Sequence, residues 1–517
     1  MPCRKRFAGR ANALAAALLC FFVLAAPAVR GDDKPAGSAL DLPARVETRH
    51  AITAAGGPLE YRAVAEIIGL TNQKGEPSAS IFTVSYFAEP APAQNTGQNR
   101  PVAFVFNGGP GAAAVFLHLG ALGPRILETP PTGAVPSPPF SLADNPHTWL
   151  AFTDLVFVDP VGTGFSRGIG KEDNPDKPFW DVRSDVNSLG ALVRRWLTRH
   201  NRWASPLFLV GESYGGLRAA ALARSLVRDV GVTVSGLALV SPALDIDLLR
   251  PDISNVLAPA LQLPSYAATA AAFAGDSPTE RAGAAERFAV TDYIAGLAGL
   301  AGIPAEDDPL IARTAALIGL SADIVRRERG RVSSQTFARE LRRGNGERLS
   351  IYDGTVARRA AANPSEDRAG DPVLEPSVAA LTAAFKSYAI GELGYRTEQP
   401  YRVLARQVSG QWNWDGARGE GGLGIALASL QDTLLLRPDT RLFVASGLYD
   451  LVTPYFSARW LIDQLAVPAA ARERIRLRVY EGGHMMYMRP RSRAALAADA
   501  AALFAAPAAS VGAAPSR

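Results

Sequence analysis

Short apolar runs recur along the chain, most of them ending in glycine or small polar residues. Pro101–Phe106 leads into Asn107-Gly108-Gly109-Pro110-Gly111, Leu155–Val158 into Asp159-Pro160, Leu207–Val210 into Gly211, and Arg441–Ala445 into Ser446-Gly447. Leu237–Val240 is a run of the same kind, and Arg476–Tyr480 is β-like. Runs this short fit strands, and strands apolar on both faces belong to sheets covered on both sides. Between them lie stretches with helical patterning, Asp181–Arg199 and Tyr214–Asp229. The alternation predicts an α/β architecture with a mostly parallel central sheet flanked by helices. Upstream, Arg62–Leu70 and Ser80–Phe87 flank the turn-like Asn72-Gln73-Lys74-Gly75-Glu76, which predicts a hairpin.

From about Asp245 to Gln399 the character changes. This segment is rich in Ala and Arg, has helical patterning broken by Pro and Gly, and lacks short β-runs. Its place between two core strands predicts a mainly helical cap inserted over the site. Residues 29–50 read as a loose lead-in, and the Ala/Pro/Ser-rich Ala506–Arg517 as a disordered tail. The expected organisation is a signal peptide over 1–28, core over 29–245, cap over 246–399, core again over 400–505, and the tail.

The N-terminus changes the picture most. Arg4, Lys5, Arg6 and Arg10 precede an apolar run from Ala13 to Ala28, with the small-residue exit Ala26-Pro27-Ala28. A basic head, a short apolar middle and such an exit describe a secretory signal peptide. An uncleaved anchor is the alternative, although the run is short for a membrane span of about 20 residues. Export to the periplasm or the medium is expected, with no stable membrane insertion once the segment is removed. Both cysteines, Cys3 and Cys20, lie inside it, so the remaining chain has no disulfide and no Cys/His zinc cluster. No metal and no cofactor is expected. The formal net charge of +5 is small for 517 residues, which argues against a nucleic-acid partner.

The chemistry gathers where the runs end. Gly211-Glu212-Ser213-Tyr214-Gly215 is a Gly-x-Ser-x-Gly sequence after an apolar strand and before a helix. Such a turn exposes a serine nucleophile and aims the next amide, that of Tyr214, at the substrate oxyanion. In the α/β-hydrolase fold the acid and then the histidine follow the serine in the chain. Of His50, His118, His147, His200 and His484, only His484 lies beyond Ser213, in Tyr480-Glu-Gly-Gly-His-Met-Met-Tyr. His118 reads as structural and the other three as surface or loop residues. Asp450, in a loop just after the Arg441–Ala445 run, has the place of the acid that orients the imidazole. The glycine loop at 107–111 suits the second oxyanion donor, with the Gly109 amide first and that of Gly108 next.

At this point the sequence resembles the serine carboxypeptidase family, here as an exported bacterial member. The resemblance rests on Asn107–Gly111, Asp159-Pro-Val-Gly-Thr-Gly-Phe-Ser166, Gly211–Gly215, Trp412-Asn-Trp414, Asp450 and Gly483-His-Met485, in the family's order. It implies removal of C-terminal residues from peptides, best at acidic pH. It also implies that Asn107 and a protonated Glu212 hold the substrate's terminal carboxylate. A neutral acid donates to a carboxylate where an ionised one would repel it. The chain departs from the family at Ala121, where a second glutamate is usual, at Val105, where tryptophan is usual, and at Ala112–Ala114. Arg125, Arg167 and Arg218 flank the motifs and are candidates to replace the missing carboxylate ligand, since Arg matches a carboxylate bidentately. The expected reaction is acyl transfer from a peptide to water through a seryl acyl-enzyme. The alternatives are an esterase or acyltransferase with the same triad, and a non-catalytic binding protein on a hydrolase scaffold.

Overall fold

A computed structural model describes residues 42–89, 99–249, 253–361, 369–414 and 425–505. The segments read as signal peptide and tail lie outside the described residues. A single twisted sheet runs through the molecule. Its strands are β1 (Arg45–Ala54), β2 (Gly57–Thr71), β3 (Pro77–Glu89), β4 (Val102–Phe106), β5 (Asp154–Val158), β6 (Leu207–Glu212), β7 (Val234–Val240), β8 (Arg441–Gly447) and β9 (Ile475–Tyr480). The spatial order is β1-β2-β3-β5-β4-β6-β7-β8-β9, with the two-residue strand Arg167–Gly168 added on β3. The pairs from β1 through β5 are antiparallel, and those from β5 through β9 are parallel.

The strand sequences explain the layers. In β4, Val102, Phe104 and Phe106 enter one apolar core, while Ala103 and Val105 enter the other. In β6, Leu209 faces the first and Phe208 and Val210 the second. The first core is closed by α1 (Val182–Arg199), α2 (Tyr214–Ser225) and, after the insertion, Leu430 and Leu434 of a third helix. Asp181 starts α1, its side chain accepting from the Ser184 amide at 2.9 Å. The second core is closed by Ala113–Leu122, by Phe385 and its neighbours, and by Leu496, Leu503 and Phe504 near the end. Each face of the sheet is thereby removed from water, as uninterrupted apolar strands require.

Three expectations need correction. The lead-in over 29–50 is not loose throughout. Residues Arg45–Ala54 form an edge strand in unbroken register with β2, from Arg45 opposite Glu66 to Ala54 opposite Gly57. His50 therefore sits in a strand. His200, read as a surface residue, is in fact a buried partner, its Nε2 2.5 Å from Glu66 Oε1. Nor is the insertion free of β-structure, because Glu347–Leu349 pairs with Ala357–Arg359.

Between β7 and β8 the chain is otherwise mainly helical, from Leu257–Ala274 to Leu374–Gly391. The last of these helices lies on the sheet itself. Phe385 meets Phe82, and Tyr388 Oη is 2.9 Å from Tyr86 Oη. No helix of the described residues is long and apolar enough to cross a membrane.

Candidate active site

Four strands of the parallel part of the sheet release their chains at their carboxyl ends, on the same side. Beyond β4 comes the 107–111 loop, beyond β6 Ser213, beyond β8 Asp450, and beyond β9 His484. Ser213 has φ 59° and ψ −126°, a region that L-residues avoid because of their Cβ. The turn is possible because its surroundings are glycine. A Cβ at Gly211 would lie 2.0 Å from the Gly215 carbonyl oxygen, and one at Gly108 would lie 2.6 Å from the Tyr214 amide nitrogen. Ser213 is part-exposed, whereas Asp450 and His484 are buried.

Every acceptor position on Asp450 is used. Oδ1 accepts the amides of Val452 at 2.8 Å and Thr453 at 2.9 Å. Oδ2 lies 2.8 Å from His484 Nδ1 and 2.7 Å from Thr453 Oγ1. That clamp fixes the ring with Nδ1 towards the acid and leaves Nε2 for other work. The ring is held from further sides: the Ser241 hydroxyl donates to the His484 carbonyl at 2.9 Å, and Tyr352 meets the ring edge-on at 5.4 Å. Burial pulls the His484 pKa down, but the Asp450 charge and hydrogen bond, with Glu212 behind them, carry it above its ordinary value. Among the described residues no hydrogen bond joins Ser213 Oγ to the ring.

Tyr214 begins α2, so its N–H has no carbonyl within the helix to meet. Gly109 has φ 98° and lies in the same loop as Gly108, which is pressed against Ser213 and Tyr214. Among the described residues neither glycine's N–H has a hydrogen-bond partner, and the loop has donors to offer. Trp412 and Trp414 stand edge-on to the Tyr214 ring at 5.2 and 5.8 Å, so the distant tryptophan motif buttresses the helix start.

Glu212 is buried beside the serine. Asn107 Nδ2 donates to its Oε2, and Asn107 Oδ1 accepts from the Leu117 amide at 3.1 Å. Burial raises the Glu212 pKa to about 7, against the lowering pull of His484, Tyr487 and Asn107. The carboxyl thus carries a proton in mildly acidic solution. The three arginines weighed for the missing carboxylate ligand are engaged elsewhere. Arg125 pairs with Asp144 at 2.5 Å and Glu392 at 3.2 Å. Arg167 donates to the carbonyls of Gly164 and Ser166, and Arg218 to Asp185 and the Asn107 carbonyl. His118 is structural, buried against Tyr86 Oη at 2.7 Å, with its pKa pushed by burial to about 3.

Three contributors were not anticipated from the sequence: Thr453, Ser241 and Tyr487. The Tyr487 hydroxyl lies 2.8 and 2.9 Å from the two Glu212 oxygens. Thr453 sits three residues after Asp450, a spacing at which a hydroxyl can bond back to the acid, so a signal existed. Tyr487 offered none, being 275 residues from its partner.

Part of the chain is similar to known proteins. Residues 69–245 match the family model described as serine carboxypeptidase. Serine carboxypeptidase-like 8 of Arabidopsis thaliana is 29% identical over 177 residues, which is 33% of this chain and 36% of that protein. The lysosomal protective protein of Mus musculus is 29% identical over 150 residues, 28% of this chain and 29% of that one. The chain thus matches about a third of the length of these curated relatives. A crystal structure of Kex1(delta)p, a prohormone-processing carboxypeptidase from Saccharomyces cerevisiae, superposes with TM-score 0.52 at 14% identity, covering 84% of this chain and 90% of that one. The fold is that of the α/β-hydrolases, and residues 69–245 are similar to the serine carboxypeptidase family.

Proposed function

We propose that the protein is an exported serine carboxypeptidase that releases C-terminal residues from peptides. Ser213 is its nucleophile, His484 its general base and Asp450 the acid that orients the base. His484 Nε2 takes the Ser213 proton as Oγ attacks the scissile carbonyl. The amides of Gly109 and Tyr214 receive the oxyanion, and the imidazolium returns the proton to the leaving amine. Water then hydrolyses the acyl-enzyme by the same route. Asn107 and protonated Glu212 hold the substrate's terminal carboxylate, and the helical insertion between β7 and β8 caps the site. The basic, then apolar N-terminal segment supports export to the periplasm or the medium.

The observation that carries the peptidase reading is Glu212. It is a buried carboxyl, protonated in mild acid and bonded to Asn107, one residue from the nucleophile. A neutral acid at that point suits an anionic substrate end. The test compares an N-blocked dipeptide bearing a free C-terminal carboxylate with its C-terminal amide from pH 4 to pH 8. Preference for the free acid, greatest at low pH, is expected. Equal rates would shift the assignment to an esterase or acyltransferase, the reading favoured by Ala121 standing where a second glutamate is usual. Labelling of Ser213 by a fluorophosphonate, lost in Ser213→Ala, separates both readings from a non-catalytic binding protein.

A further inference from the structure

The partners of Glu212 differ in what they can do. Asn107 Oδ1 is occupied by the Leu117 amide, so its Nδ2 can only donate, and it serves an ionised Glu212 best. Tyr487 is of another kind. A phenolic hydroxyl donates to a carboxylate and accepts from a carboxylic acid, simply by turning its O–H bond. Its oxygen is nearly equidistant from both Glu212 oxygens, so either one can be served. The local sequence makes room for the ring. A Cβ at Gly120 would lie 2.9 Å from Tyr487 Cε2, and Ala121 next to it is buried and ends at a methyl group. Small residues here and an aromatic residue three positions after His484 are therefore two halves of one arrangement.

We propose that Tyr487 is the positioning residue for Glu212, holding its carboxyl in one orientation in both protonation states and so governing how the site receives an anionic substrate end. This rests on the reading of Glu212 as the ligand of the substrate carboxylate. When a protonated Glu212 donates to the incoming carboxylate from one oxygen, Tyr487 donates to the other. No proton leaves the group, and the hydroxyl only reverses its role.

Other charged or titratable groups around Glu212 have fixed tasks. His484 comes from the loop after β9, Asp450 from the loop after β8, and Tyr352 from the insertion. Arg218 of α2, behind Asn107, is committed to Asp185 and to the Asn107 carbonyl. Removing the Tyr487 hydroxyl takes a charge-assisted hydrogen bond from ionised Glu212 but only a weaker one from the neutral acid. The balance therefore moves towards the protonated form, and the orientation of both forms loosens.

The experiment uses the full chain with Tyr487→Phe, on an N-blocked dipeptide free acid and on its C-terminal methyl ester, from pH 4 to pH 9. For the free acid, KM at pH 5 should rise by about threefold or more. The alkaline midpoint of its kcat/KM should move up by about half a unit. Turnover of the ester should stay within about twofold, as for a residue outside the triad. In a Glu212→Gln background, Tyr487→Phe should then have no further effect on free-acid KM. A wild-type preference for the free acid that is unmoved by Tyr487→Phe, or an equal loss on the ester, overturns the role of Tyr487 alone. A wild type indifferent to the free carboxylate overturns the reading of Glu212, and this proposal with it.

Discussion

Thr453 Oγ1 stands 2.7 Å from Asp450 Oδ2, 3.0 Å from His484 Nδ1 and 2.9 Å from the Ser241 carbonyl. One hydroxyl thus ties the acid, the base and the strand-end turn after β7 together. Thr453→Val keeps the shape and removes the hydrogen bond. We expect kcat to fall about tenfold with KM little changed, the worth of one hydrogen bond to a charged group at about 1.5 kcal/mol. Steady-state kinetics on a simple ester checks this, and an unchanged kcat would reduce Thr453 to packing. Residues of this rank are hard to see in a sequence. The proposed triad of Ser213, Asp450 and His484 could be picked out because the chain order serine, acid, histidine goes with the fold and a single histidine follows the serine. Tyr487 and Ser241 could not, since their partners are brought to them only by the sheet.

Strands β4 to β8 announce themselves because both of their faces are buried and each carries an apolar run. The edge strand β1 is different. Its sequence, RVETRHAITA, carries charges at alternate positions, and Ile52 and Ala54 are its buried side chains. Charged residues on an edge protect it from pairing with other chains, and the same charges hide it from a reading that looks for apolar runs. Helix α1 shows the opposite case, with a helical period plain in the sequence and a heavy anchor at Trp196. That indole stacks on Phe87 at 6.0 Å, meets Phe104 edge-on at 5.1 Å, and donates to Ser85 Oγ at 3.0 Å. Trp196→Ala should destabilise the protein by about 3–5 kcal/mol. Chemical denaturation is the direct measurement, and a loss below about 1 kcal/mol would mean the helix is held elsewhere.

Buried groups tie the stability of the whole molecule to pH, and three of them act in the same direction. Burial raises Glu212 to about 7, and it raises Asp159, which lies under the 112–114 turn and accepts from the Ala114 amide, to about 7 as well. His484, for its own reasons, also sits above its ordinary value. In each case the folded state holds its proton more tightly than the unfolded chain. The associated stability is complete below the unfolded pKa values and is lost as pH rises through the folded ones. His118, held down at about 3, works the other way between about pH 3 and pH 6.5, so the test is the difference between two proteins: from about pH 4.5 to pH 7 the melting temperature of Glu212→Gln should rise relative to that of the wild type. Thermal melts across that range test it, and parallel slopes for the two proteins would contradict it.

The insertion belongs to a crossover between two parallel neighbours, β7 and β8, so the chain leaves at one end of the sheet and returns at the other. Val240 is in register with Ala445, and the Ser241 amide donates to the Ala445 carbonyl at 2.7 Å. The return begins at Arg441, in register with Gly236, so the excursion spans the length of the strand pair before it rejoins the sheet. Two parts of the excursion are not free to change: Tyr352, whose carbonyl accepts the His484 amide, and the helix Leu374–Gly391, which closes the sheet's second core. The portion from Leu257 to Asn345 is tied down in its turn, through Leu261, Tyr266 and Phe337 in the first core and through Glu286, which accepts from Tyr455 Oη at 2.6 Å and pairs with Arg459 at 2.6 Å. A change anywhere in this excursion is therefore felt by the sheet, and the segment behaves as a keystone set into the wall rather than a part that can be swapped.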